Sequence, residues 1–555
     1  MKNTNKRLTR ESRKAKPGAG AKTKAPRFNL SEKTEWLVFF GLAVYLFAAL
    51  FLVRDYGMNP DSQKNFREGE MNLNYILTGQ VDEFILEWQM HGTYIFMAAD
   101  LSKRLLCDRL HLYDATAARH IILPFMTAFF LVFLFYFVRR HWDALHGLAA
   151  VGVLLTFPYF WGHSFNNLKD MPLLIFFSLS IMSFVQWTAT RALRYFYGFF
   201  ILWGCALAIK TYAFYIPVLL IVWMLVRPKG REAKGRLFRR GLILHAIAGL
   251  SMTAVIVLVL YAPAFWGVGN KLSFLGTWHE HVRHISWGHS TPYNLNSFVQ
   301  VFFRTPLLVL IFALIGLIEA VKECRRFPLY SLLLIWLFVP LAIPCFPRTL
   351  IYHNGMRLFM VFLVPFCLLS AVGIARFARF LAKRLKANAK MLFAAAVSLT
   401  IGTSLWGVVS THPYQTTFFN ALAGGLKGAQ KKNIADSWDY WLNSYREAER
   451  WISRFGAPDA RVVGLYMSGT PPFFNTDLVG DAIDRPDLKL FHFPAVPASG
   501  GEIAIPDNTY VIFVPFDYLH MSRLAMEQSG RFEKVYTISR QGGEVCTIYY
   551  KRRSS

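Results

Sequence analysis

The stretch WLVFFGLAVYLFAALFLV, Trp36 to Val53, runs for eighteen residues without a charge. As a helix rising about 1.5 Å per residue it would be about 27 Å long, close to the ~30 Å hydrocarbon core of a bilayer. A chain in that medium must satisfy its backbone polar groups internally, which selects the helix. Ten similar blocks follow, near 118–138, 147–165, 171–189, 194–209, 212–226, 241–263, 305–322, 328–345, 358–376 and 391–409, with charged, Pro-bearing or Gly-bearing gaps between them. This repetition predicts a polytopic α-helical membrane protein with about 11 transmembrane helices. A string of soluble cores would not space its apolar residues this way. Residues after 409 change character and predict a C-terminal α/β domain outside the cytoplasm.

The formal net charge of +27 could suggest a nucleic-acid partner, since basic surfaces attract phosphate. Its distribution argues against one. The tail 1–34 carries eleven Lys and Arg, and five alternate short loops with their helix ends carry twenty more, RPKGREAKGRLFRR (227–240) and RFARFLAKRLKANAK (376–390) among them. Four of the opposite loops carry seven. This is the positive-inside asymmetry. It predicts a cytoplasmic N-terminus and an extracytoplasmic C-terminus. The first apolar block lies too far into the chain, and lacks a small-residue cleavage site, to be a removed signal peptide.

The expected organisation is a disordered basic tail (1–34), a transmembrane region (35–409) with outer loops at 54–117 and 264–304, and an α/β domain (410–555). Within the first loop, FREGEMNLNYILTG and FILEWQMHGTYIFMAADLSKRLL have the helical spacing of amphipathic segments lying in the interface. Beyond residue 410, helix signals at 443–455 and 517–528 alternate with the strand-like runs RVVGLYM, YVIFVP, EKVYTIS and EVCTIYYK. No glycine-rich phosphate loop or Cys/His ligand spacing occurs there, so a substrate-shaping or interaction role is expected for this part. The six cysteines have no paired spacing, which indicates neither a disulfide framework nor a zinc site.

Chemistry is expected from ionisable residues at the outer face, because such groups are costly near hydrocarbon. Asp61, in YGMNPDSQKNFREGE, follows the first helix and could accept a proton from a hydroxyl group; a solvated loop aspartate is the plainer reading. Asp55, Glu68, Glu70 and the Asp82-Glu83 pair are its competitors. In WGHSFNNLKDMPLL, Lys169 stands at lipid-phosphate depth, and Asp170 before Pro172 suits a helix N-cap. Lys210 divides two apolar runs, either snorkelling to the interface or contacting a phosphate. Arg348, His353 and Arg357 share the loop PRTLIYHNGMR. Two guanidinium groups there can take a phosphate bidentately, or can face lipid headgroups. The compact basic group lies on the side otherwise poor in basic residues, which favours function. His279, His281, His284 and His289 do not have the spacing to gather on one helical face. No metal and no cofactor are indicated, although a divalent metal stays possible.

These residues resemble the bacterial members of the dolichyl-phosphate-mannose protein mannosyltransferase-like family (glycosyltransferase family 39, with the multi-span GT-C fold). The resemblance covers most of the chain. An acidic motif follows the first helix, KDMPL follows the third, and YHNGMR opens a late helix. The stretch from His412 to Trp441, within HPYQTTFFNALAGGLKGAQKKNIADSWDYW, is the most specific match. The family's first-loop motif is Asp-Glu, and here it reads Asp61-Ser62.

The resemblance implies transfer of a sugar from a polyprenyl-phosphate donor to a hydroxyl acceptor (protein, lipid or glycan) on the extracytoplasmic face, with inversion. Asp61 would be the catalytic base. Lys169, Lys210, Arg348 and Arg357, with Asp170 and His353 beside them, would meet the donor phosphate. The partners implied are the lipid bilayer, the polyprenyl-linked sugar and an acceptor of unknown type, with no nucleic acid. Two other classes compete: a transporter or flippase of a lipid-linked sugar, which would show repeats and broken polar helices, and an inactive GT-C scaffold. If the enzyme reading holds, Asp61, Asp170 and the arginine loop should converge.

Overall fold

The computed structural model describes residues 33–80, 92–227, 240–261, 293–346, 355–465, 479–490, 505–515 and 520–553. The basic tail up to residue 32, the 279–289 histidine group, Asp82, Glu83, Arg348 and His353 lie outside the described residues. Where described, each of the eleven apolar blocks is helical. The first nine helices are α1 (Lys33–Leu52), α2 (Ser62–Thr78), α3 (Tyr94–Lys103), α4 (Ala115–His120), α5 (Ile122–His141), α6 (Ala144–Leu155), α7 (Pro158–Asn166), α8 (Asp170–Thr190) and α9 (Leu193–Ile209). Among the described residues, seven helices are long and apolar enough to cross a bilayer. The protein is a multi-pass helical membrane protein. Large side chains such as Phe40 (70% exposed) and Phe47 (67% exposed) stand out from α1, as an apolar solvent permits.

The third block departs from the single straight span expected. It consists of α6 and α7, bent by 67° at the join. Pro158 opens α7, and Phe157 before it is extended (φ −69°, ψ 116°), because a proline ring disfavours helical geometry in the preceding residue. The fifth and sixth blocks, Leu193–Ile209 and Thr211–Val226, are too short to count among the seven. They meet at Lys210.

The Arg357–Leu385 helix is the axis of the bundle, with 94% of its apolar window buried. It packs so closely on the Leu307–Glu323 helix that a Cβ on Gly373 would stand 1.8 Å from the carbonyl oxygen of Phe312, and one on Gly316 1.9 Å from that of Leu369. Small residues permit such an approach where no water is available to drive helix association.

After residue 443 come two helices, Ser444–Phe455 and His520–Gln528, and five strands: β1 (Arg461–Leu465), β2 (Lys489–Leu490), β3 (Thr509–Phe513), β4 (Phe532–Arg540) and β5 (Gly543–Lys551). They form one sheet in the order β2-β1-β3-β5-β4. β1 pairs in parallel with β2 and β3, and β5 runs antiparallel to β3 and β4. The β4–β5 turn is Gln541-Gly542, with φ of 48° and 69°, the positive pair that a two-residue hairpin requires.

The Gln541 side chain reaches back. Its Oε1 accepts from the amides of Phe419 and Leu426, both at 3.1 Å, and its Nε2 donates to the Phe419 carbonyl at 3.0 Å. Arg446, 3% exposed at its side chain, donates to Asp114 at 2.5 Å and to Asp481 at 2.7 Å. Asp114 caps α4, so this arginine ties the sheet region to the same end of the bundle as the first loop.

Candidate active site

Asp61 sits at the N-cap position of α2 without capping it. The turn is held by its neighbours: the Asn59 amide donates to Ser62 Oγ at 2.9 Å, and the Asp61 amide donates to Asn59 Oδ1 at 2.9 Å. Ser62, standing where the family pattern has a glutamate, is thus buried in the turn. The Asp61 carboxylate is left free to point elsewhere. Its Oδ2 receives Lys169 Nζ at 2.9 Å and Arg357 Nη1 at 2.7 Å.

Asp170 does not cap α8, as its place before Pro172 suggested. Asn167 does that work, its Oδ1 accepting the amides of Lys169 at 3.2 Å and Asp170 at 2.8 Å. The Asp170 carboxylate instead takes Lys210 Nζ at 2.9 Å on Oδ1, and faces Arg357 Nη1 at 3.7 Å across Oδ2. Lys210 reaches it because the chain is extended there (φ −155°, ψ 133°), between α9 and the next helical turn. Four chain segments thereby bring Asp61, Lys169, Asp170, Lys210 and Arg357 into one group.

The group holds three cations and two carboxylates, a surplus of one positive charge when all are ionised. Burial by itself would raise the Asp61 carboxyl, but Lys169 and Arg357 outweigh it and hold the group well below the usual carboxylate range. Arg357 keeps one donor unspent: its Nε is buried without a hydrogen-bond partner. A buried guanidinium N–H of this kind suits an anionic oxygen. Glu68, seven residues along α2 from Asp61, is 2% exposed, and burial pushes its carboxyl up to about 7 against the pull of Lys64 and Lys169. The other competitors are engaged elsewhere: Asp55 meets His412 at 3.0 Å, and the half-exposed Glu70 lies 3.6 Å from Arg119.

The wall behind the cluster comes from residues that no charge pattern singled out. The Arg357 guanidinium lies over the Trp441 ring, 4.5 Å from its centroid. Trp441 Nε1 donates to Asn166 Oδ1 at 3.0 Å, and the Asn166 carbonyl accepts Asn59 Nδ2 at 2.6 Å. One α7 asparagine thus positions both the Asp61 turn and the ring under Arg357. Asn167 Nδ2 donates to His163 Nδ1 at 3.0 Å and to Asp170 Oδ2 at 3.2 Å. With Nδ1 accepting, His163 presents Nε2–H to the Tyr440 hydroxyl at 3.2 Å, and that hydroxyl bonds Tyr159. The bend that begins α7 carries these side chains beneath the charged group.

The nearby Asp436 Oδ2 accepts the Gly355 amide at 2.8 Å, fixing the turn from which Arg357 extends. Gly355 has a φ of 61°, a conformation that favours glycine. Arg304 lies at the end of the outer loop expected at 264–304. It is fully buried, bonding Gln300, the Thr416 carbonyl and the Asp436 carbonyl, with the Phe419 ring at 4.3 Å. It has a structural place. Among the described residues, no three His, Cys, Asp or Glu side chains are grouped to hold a metal ion.

Residues 115–264, from α4 to just past the Arg240–Tyr261 helix, match the family described as dolichyl-phosphate-mannose-protein mannosyltransferase. The matched segment contains Lys169, Asp170 and Lys210. Over this segment the chain is similar to that family. No curated protein matches it by sequence. Among solved structures, the chain is similar to ArnT from Cupriavidus metallidurans in the apo state, at 15% identity and a TM-score of 0.48 over 93% of this chain and 98% of that one. The same enzyme bound to undecaprenyl phosphate gives 16% identity and a TM-score of 0.47 over the same shares. The Archaeoglobus fulgidus oligosaccharyltransferase in complex with Zn and sulfate gives 12% identity and a TM-score of 0.49 over 93% of this chain and 73% of that one.

Proposed function

We propose that this GT-C-like glycosyltransferase moves a sugar from a polyprenyl-phosphate donor to a hydroxyl acceptor on the extracytoplasmic face, with inversion at the anomeric carbon. The observation that carries the reading is the Asp61 carboxylate held by Lys169 and Arg357, with Lys210 on Asp170 beside them. A lipid-phosphate leaving group needs fixed cations at the membrane boundary, and the acceptor needs a base on the opposite side of the sugar.

In the donor-free arrangement, base and cations neutralise one another, and Asp61 is a weak base. A donor phosphate binding to Lys169 and Arg357, and to the unspent Arg357 Nε, draws the cations away from Asp61. The carboxylate then gains proton affinity where the acceptor hydroxyl needs it. The hydroxyl oxygen attacks the anomeric carbon, its proton passes to Asp61, and the bond from that carbon to the phosphate oxygen breaks. The cations stabilise the charge developing on the phosphate. Asp170 holds Lys210 and aligns Arg357. Arg348 and His353, seven and two residues from Gly355, are assigned to the same phosphate by their loop. The N-terminus lies in the cytoplasm of a bacterial inner membrane, and the sheet region lies outside it, over the acceptor side.

The test supplies radiolabelled polyprenyl-phosphate sugars to membranes carrying the wild type or Asp61→Asn. The isosteric substitution should lower transfer by roughly 10²- to 10⁴-fold, the usual worth of a positioned base. Unchanged transfer would remove Asp61 from the mechanism. No donor consumption by the wild type would leave an inactive scaffold or a lipid-linked-sugar transporter.

A further inference from the structure

The charged cluster stands at the N-terminal end of α8. Near the other end, α5, α8 and α9 enclose an open cleft of about 860 Å³. Gln186, on its wall, is sixteen residues from Asp170, or about 24 Å along the helix. In a bilayer core of about 30 Å the cleft and the cluster belong to opposite membrane faces. Phe129 and Phe133 of α5, Met182 of α8 and Leu202 of α9 make an apolar lining. Phe129 and Phe133 are 60% and 46% exposed, so the cleft opens sideways towards the hydrocarbon.

Two polar groups at this cleft are unspent. Arg140 lies at its mouth, exposed and without a carboxylate partner among the described residues. The adjacent Arg139 differs, being paired with Glu35. Asp143, also at the rim, is occupied by His146, whose amide and ring nitrogen it accepts at 3.0 and 2.8 Å. The second group is Gln186, 9% exposed. Its Nε2 faces His141 Nε2 at 3.3 Å, and its Oε1 is buried without a partner. An unpaired buried amide oxygen is costly and calls for a donor.

We propose that this cleft is a binding site for an anionic phospholipid of the leaflet facing the basic loops. An acyl chain lies along Phe129, Phe133, Met182 and Leu202. The lipid phosphate pairs with Arg140, the uncompensated charge at the mouth, and a hydroxyl of the head group donates to Gln186 Oε1. A cation, an apolar trough open to lipid and a buried acceptor match a phosphatidylglycerol-type lipid in charge, shape and hydrogen bonding.

Native mass spectrometry of the purified full chain, titrated with phosphatidylglycerol and with phosphatidylethanolamine of the same acyl chains, tests the site. Phosphatidylglycerol should be retained about tenfold more tightly. Arg140→Gln, at an exposed position where packing is not disturbed, should lower that retention about tenfold, as loss of a charge-assisted contact does. Leu202→Trp, which fills the trough, should lower it independently. Equal retention of the two lipids, or phosphatidylglycerol retention unmoved by both substitutions, overturns the proposal.

Discussion

Two carboxylates on one short helix face opposite electrostatic surroundings. Asp61 meets two cations directly, and its ionised form is favoured. Glu68 is buried with Lys64 no nearer than 3.6 Å, and its neutral form is favoured up to about pH 7. The folded chain therefore binds the Glu68 proton more tightly than the unfolded chain. That contribution is fully present below the ordinary glutamate range, and is lost as pH rises through about 7. Glu68→Gln removes it. Between pH 5 and pH 8 the wild type should lose stability relative to the variant, by up to about 3 kcal/mol at roughly 1.4 kcal/mol per pKa unit. Parallel thermal-unfolding profiles of the two proteins across that range would show that Glu68 does not titrate in the fold. The sequence pointed to Asp61, Lys169, Asp170, Lys210 and Arg357 by charge and position, since an ion near hydrocarbon stands out. Asn166, Asn167, His163 and Trp441 carried no such signal. Neutral polar residues become informative only when their partners are known, and those partners lie as far as 277 residues away.

At the scale of elements, apolar length decided most of what the structure shows. Each of the eleven blocks is helical where described, because each must close its own hydrogen bonds. The exception is the join of α6 and α7, bent by 67°. Pro158 was visible, but proline within an apolar block is compatible with a kinked span, a break or a re-entrant segment. What α7 packs against selects among these. The same holds for glycine. Gly316 and Gly373 look like ordinary small residues, yet each touches the backbone of the opposite helix. Gly373→Ala should force the two helices apart and lower stability by about 1–3 kcal/mol, the usual cost of overpacking. This would register as a lower midpoint in thermal unfolding of the detergent-solubilised protein. An unchanged midpoint would mean that the helices do not approach as closely as described.

Over the whole molecule, the region after residue 410 turns back onto the bundle. The 412–443 segment supplies the wall behind Arg357, and the sheet is fastened through Arg446 to Asp114 and Asp481. Arg446→Ala would leave two carboxylates facing each other without their cation. Loss of one partner from a buried charge pair costs about 3–5 kcal/mol. The variant should expose residues 444–553 to faster hydrogen exchange and proteolysis, while the helical bundle remains protected. Exchange rates equal to those of the wild type would show that Gln541 and the strand contacts hold the region without the arginine. The His412–Trp441 stretch reaches the charged group through Trp441, whose ring lies under the Arg357 guanidinium.

The sequence by itself determined that the chain is a multi-pass helical membrane protein, and where its apolar helices lie, because hydrocarbon penalises every unpaired polar group and leaves one local solution. It also marked the ionisable residues that a membrane boundary would not tolerate without cause. Only the tertiary structure decided that five of them meet, that Asn167 rather than Asp170 caps α8, and that Ser62 serves the turn beneath Asp61. Those outcomes depend on distances between segments remote in the chain. Hydropathy and charge alternation act locally, whereas an ion pair exists only where packing brings its partners together.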